Sequence, residues 1–217
     1  MEEKGKVEVV EIDVPTVDAD GSPVTLKGVQ AMRERSTGRI VIDPSLVARA
    51  EAEAIARKFG VEGREVPIIL TLYAEAGYFR QGIVLGLSKF HKLLFYQWKR
   101  LETIGLGPAF LHDQFTPARG GPVSLHLKSD LEHLKKKGLV EVEWSESVTS
   151  PTVVRLTDEG MKLAERLWEA SPEPIKDVTV EVKEDLYPMT GAGVREKVHF
   201  EYPDERRVYP GRARKRR

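Results

Sequence analysis

A helix-patterned stretch stops at Gly138 and passes at once into an alternating one, and this junction restricts the fold more than any other feature of the chain. KKKGLVEVEW, running from Lys135 to Trp144, closes a helix with three lysines, breaks it at the glycine and sets Val140, Val142 and Trp144 on one side of a strand. After SESVTSP a return strand carries Val154 and Leu156. Thr157 then caps another helix, with Leu156 and Met161 spaced as a hydrophobic staple across the cap. A short hairpin held between two amphipathic helices can hide its apolar side only against those helices, so the three elements must form one unit.

The segments upstream complete it. Pro67 to Ala76 reads as an apolar helix through Ile68, Ile69, Leu72 and Tyr73, ended by Gly77. Ser88 is placed to cap KFHKLLFYQWKRL, where Phe90, Leu93, Leu94, Trp98 and Leu101 recur at helical spacing. Past a loop of glycine, proline and polar residues, Pro122 opens a third helix. Its Val123, Leu127, Leu131 and Leu134 face a core, and Leu125, Lys128, Ser129, Glu132, His133 and Lys136 lie opposite. Three helices, a two-stranded hairpin and a helix, in that order, predict a winged helix-turn-helix over residues 66–171. The aromatic residues Tyr73, Phe90, Phe95 and Trp98 read as core packing.

Both flanks add structure. Residues 1–65 are expected to form a small α/β appendage, with strands at VEVVEIDV (7–14), VTL and RIVI around the turn-rich DADGSP. Asp43 then caps a helix that Pro44 begins and Gly60 ends, with Val47, Ala50, Ala54 and Ile55 as its apolar positions. An oligomerisation arm is a second use for this segment. Residues 172–205 read as C-terminal helices, with Thr190 as a cap and Val194 and Val198 on one face. Val178, Val180 and Val182 alternate as in a strand, so PIKDVTVEVKEDL stays open between helix and strand. Residues 206–217 form a basic tail. The expected class is α+β, mostly helical, with a winged helix-turn-helix core.

Composition bounds the chemistry. The 217 residues include no cysteine and no asparagine, which excludes disulfides, thiol catalysis and cysteine-ligated zinc. With 31% charged residues rich in Glu, Lys and Arg, this is the composition of a hot-growing organism. The opening MEEKGKVEVV is not a secretory signal, and no later run reaches the ~18 apolar residues of a membrane span, so a soluble cytoplasmic protein is expected. The formal net charge of +0 hides a partition: 10 Lys and Arg face 5 Asp and Glu over residues 66–137, 3 face 7 over 138–171, and 7 face none over 206–217.

The segments SKFHKLLFYQWKRL, GGPVSLHLKSDLEHLKKKGLVEVE and VVRLTDEGMKLAERL resemble archaeal winged-helix proteins that combine a KLLF-bearing helix, a Gly-Pro-x-Ser helix start and a strand leading into Leu-Thr-x-Glu-Gly. The first two are also similar to the SocA-type antitoxin domain (Panacea), the third to the ends of PadR and MarR regulators. LYPMTGAGVREKVHFEYPDERR resembles the closing helices of such archaeal chains. The resemblance spans roughly residues 66–170 and implies a DNA-binding or antitoxin-like regulator, with no catalytic residues.

In that fold the third helix enters the major groove. Lys128, Ser129, His133 and Lys136 are then the candidates for bases and phosphates, with Arg119 and Lys135 on flanking backbone. The alternative is a solvated lysine cluster favoured by the helix dipole, which leaves the +5 balance of the whole block unexplained. The hairpin carries Glu141, Glu143 and Glu146 where a phosphate-tracking wing carries bases, so it is expected to support the core or meet a protein. In the tail Arg212, Arg214, Lys215, Arg216 and Arg217 could neutralise phosphates of DNA, RNA or a ribosome. The histidines at 91, 112, 126, 133 and 199 show no metal-ligand spacing, the glycine pairs form no phosphate loop, and His112 with Asp113 lacks a nucleophile. The expectation is therefore a homodimer that binds double-stranded DNA, without enzymatic activity, metal or cofactor.

Overall fold

In the computed structural model, which describes residues 7–17, 23–75, 81–145 and 152–205, two long strands open the chain. β1 (Val7–Val17) pairs antiparallel with β2 (Pro23–Glu34), and β3 (Ile40–Ile42) adds to the far side of β2. VTL is thus part of a twelve-residue strand. A register shift between Ile12 and Val14 hides it from a period-two reading, because buried Leu26 and Val29 are spaced by three before Ala31 resumes the alternation. α1 (Pro44–Lys58) follows, with the Asp43 carboxylate accepting the Ser45 N–H at 2.9 Å. The helix turns Ala48, Ala52, Ile55 and Ala56 to the core in place of the expected stripe through Val47, Ala50 and Ala54.

The body contains α2 (Glu65–Tyr73), β4 (Ile83–Leu85) and α3 (Leu87–Thr103). It continues through a 3-10 turn at Gly107–Ala109, the small hairpin of β5 (Phe115–Thr116) and β6 (Val123–Ser124), and α4 (Leu127–Lys136). β7 (Val140–Glu143), β8 (Val153–Leu156), α5 (Asp158–Ala170), α6 (Glu173–Leu186) and α7 (Gly191–Glu201) complete it. The molecule is therefore α+β, with helices around small antiparallel sheets. β4, too short to show a period, pairs with β8 and makes a three-stranded sheet in the order β4-β8-β7.

α3 is the axis of the core. Phe90, Leu93, Leu94, Phe95, Tyr96, Gln97 and Leu101 are all at most 1% exposed, because α6 and α7 cover the sides that α2 leaves open. α6 buries Ile175, Val178, Thr179, Val182, Lys183 and Leu186 at spacings of three and four, which settles the open segment as helix. Lys183, 0% exposed, gives its ammonium to the carbonyls of Leu72 at 3.2 Å and Ala74 at 2.5 Å, closing the C-terminal end of α2. One core cluster runs from Ala56 and Val61 to Val194 and Val198, so α1, α6 and α7 share it with the central helices.

Two helix starts differ from the sequence expectation. Ser88 lies inside the first turn of α3, whose cap position is Gly86, tied by its N–H to the Thr152 carbonyl at 2.7 Å. Pro122 opens no helix: the next two residues form β6, and α4 begins only after Ser124 Oγ has accepted the N–H groups of His126 and Leu127. The other caps hold, with Thr157 and Thr190 accepting the N–H of Gly160 and Gly193. Gly160 has a further reason to be glycine. A Cβ there would stand 2.0 Å from the Leu139 carbonyl oxygen, where α5 meets the turn leaving α4.

Candidate nucleic-acid interface

α4 is fixed from beneath by two polar clusters. In the first, His112 is 2% exposed, and its Nε2 lies 2.6 Å from Ser124 Oγ. Its Nδ1 lies 3.2 Å from the Arg64 carbonyl and 3.5 Å from Asp130 Oδ2. Serine, histidine and aspartate thus meet in an arrangement that sequence spacing did not reveal, and His112 does have a hydroxyl partner. The proton inventory defines its task. Ser124 Oγ already takes two backbone N–H groups, so its own proton goes to Nε2, and the single ring proton, on Nδ1, goes to the Arg64 carbonyl. Burial, the largest cause, brings the His112 pKa down to about 4 and keeps the ring neutral. With Ser124 only 8% exposed, the network anchors the entrance of α4 to α2.

His91 extends the network by accepting the Ser124 N–H on Nδ1 at 3.0 Å, and burial holds it at a pKa of about 4. Asp130 faces inward at 3% exposure. Desolvation raises its pKa against the opposing pull of the Arg64 guanidinium, 3.4 Å away.

The second cluster sits at the other end of α4. Glu65, fully buried in the first turn of α2, accepts the Glu62 N–H at 2.7 Å and the Lys137 ammonium at 2.8 Å, and lies 2.9 Å from His133 Nδ1. His133 Nδ1 is also 3.2 Å from Glu62, so this candidate base reader stands between two carboxylates.

The outer side of α4 presents Lys128, Ser129, Lys135 and Lys136, all exposed, while Leu127, Leu131 and Leu134 are buried to 0%. Ser129 returns its hydroxyl to the His126 carbonyl at 2.7 Å. Trp144, expected to continue the core side of its strand, is half-buried and packs against the core, and its polar edge also meets α4. Its indole N–H reaches Glu132 at 2.7 Å, and the Lys128 ammonium stands 5.4 Å from its ring. The end of β7 thereby covers part of the outer side of α4. Beyond it Glu141 and Glu143 are exposed, with Glu143 paired to Arg155.

Arg119 is exposed in the turn between β5 and β6, on the approach to α4. Glu146 and the tail residues Arg212, Arg214, Lys215, Arg216 and Arg217 lie outside the described residues. Among the described residues no group of three or more His, Asp or Glu could hold a metal ion, and no helix is long and apolar enough to cross a membrane. No family model and no curated protein matches the chain.

Proposed function

We propose that this protein is a winged-helix regulator that binds double-stranded DNA in the cytoplasm, with α4 in the major groove. The observation that carries the reading is the order α2, β4, α3, α4, β7, β8 with the sheet arranged β4-β8-β7, which leaves one amphipathic helix with its outer side lined by Lys128, Ser129, Lys135 and Lys136. The clamps at Ser124 and Glu65 hold both ends of that helix, as a reader of groove geometry requires. A transcriptional or antitoxin-like role follows from the resemblance of the same segments, and a two-fold dimer matches a palindromic site.

The acidic wing directs docking toward the helix and away from the hairpin. Titration of duplex DNA against salt tests this. Lys128→Ala and Lys136→Ala should each reduce the slope of log K against log salt by roughly 0.9, and Glu143→Ala should leave binding unchanged or tighter. Light scattering at micromolar concentration should give the dimer mass.

The charge of residues 206–217 favours a second reading, in which the winged helix is an interaction module and the tail grips RNA or a ribonucleoprotein. Tail deletion that abolishes binding while the lysine variants bind as the parent does would select it.

A further inference from the structure

Beside the entrance to α4 lies positive charge that no carboxylate answers. Lys92, in the middle of α3, is 3% exposed. Among the described residues its ammonium meets Ser88 Oγ, one turn back, at 3.4 Å and has no acidic group within ion-pair distance. A buried ammonium needs good acceptors, as Lys183 has in two carbonyls. The surroundings of Lys92 are of the opposite kind: burial and, after it, the charge of Arg195 on α7 lower its pKa to about 8.

The β5–β6 turn closes against the same side chain. At Gly121, φ 91°, a Cβ would lie 3.3 Å from Lys92 Cε and 3.3 Å from Val198 Cγ1, so backbone comes as near as glycine permits, with exposed Arg119 two residues before it. Ser88 sits in the first turn of α3, where no side chain caps the helix and the leading N–H groups have no intrahelical partner.

We infer that Lys92, Ser88, Arg119 and Arg195, with the first turn of α3, form a binding site for a single phosphate group. A tetrahedral oxyanion accepts from the ammonium, the hydroxyl and the helix N–H groups together, and it supplies the counter-charge that Lys92 lacks. The group is either a backbone phosphodiester or a phosphomonoester of a small molecule. The first source rests on the duplex reading above, and the placement suits it: His91, next to Lys92, holds the N–H of Ser124, at the entrance to α4.

The test uses the full chain at pH 7. Inorganic phosphate in the millimolar range, against chloride at equal ionic strength, should raise the parent melting temperature by a few degrees. Lys92→Met, whose neutral side chain fits the same buried slot, should lose that response, and the exposed variants Ser88→Ala and Arg119→Ala should weaken it. In a second arm, Lys92→Met that lowers the salt slope of duplex binding by roughly 0.9 identifies the phosphodiester, while unchanged duplex binding with a lost phosphate response identifies the monoester. A parent whose melting temperature ignores phosphate, or a Lys92→Met protein that responds to phosphate as the parent does, overturns the site. A parent that binds no duplex yet keeps a Lys92-dependent phosphate response sinks the duplex reading and leaves the site standing.

Discussion

Among the described residues, two three-stranded antiparallel sheets are built on opposite principles. The N-terminal one has strands of 11 and 12 residues, rests on α1, and exposes Val9, Met32 and Val41 in a row across all three strands, at 70%, 48% and 47%. The β4-β8-β7 sheet has strands of three and four residues but buries Val84, Val140, Val142 and Val154 among the helices. Long ladders sustain the first sheet through its own cross-strand pairs, whereas the second exists only because a core covers it. Order in a sheet can thus come from length or from burial, and mutations should tell the two apart.

The widest separation is expected between two glycines. Gly160→Ala drives a Cβ into the Leu139 carbonyl at 2.0 Å and should cost more than about 4 kcal/mol in chemical denaturation. Gly28→Ala in β2, at φ 67° with the nearest atom 3.9 Å away, should cost about 1–2 kcal/mol from backbone strain alone. Equal losses would break the comparison.

Acid should discriminate next. His91 and His112 have folded pKa values of about 4 against 6.5 unfolded, so between those limits the unfolded chain binds more protons and stability falls as pH falls. At pH 5 the loss should be on the order of 2 kcal/mol for each histidine relative to pH 7.5. Both histidines sit in the body, and the described strands of the N-terminal sheet contain none. Hydrogen exchange at pH 5 should therefore accelerate in α3 and α4 before β1 and β2.

Smaller effects follow from side-chain truncation. Val154→Ala, at 1% exposure, should cost about 2 kcal/mol, and Val9→Ala less than about 0.5 kcal/mol. Deleting residues 206–217, which contain almost nothing apolar, should leave the melting temperature nearly unchanged.

The same contrast marks what the sequence discloses. Elements set by neighbouring residues were legible: the caps at Asp43, Thr157 and Thr190, the stop at Gly138, and the α4 stripe that places Lys128, Ser129 and Lys136 outside. Elements set by distant partners were not. β4 has no period of its own, and the alternating valines of α6 imitate a strand until α3 is there to bury every third and fourth residue. The Ser124–His112 and Glu65–His133 contacts join residues that no spacing rule connects. Lys92 sits within the KLLF helix pattern as an ordinary charged position, and it is buried only where the β5–β6 turn closes over it beside α7.

The seat of Lys183 bears on the order in which the chain can finish folding. The carbonyls it closes belong to Leu72 and Ala74, more than a hundred residues earlier. During synthesis α2 must wait with an open end until α6 has left the ribosome, and α3 stays uncovered on its α6 and α7 sides for the same interval. A nascent chain stalled shortly after α5 should therefore remain protease-sensitive in its central helices, although every strand of both three-stranded sheets has already been made.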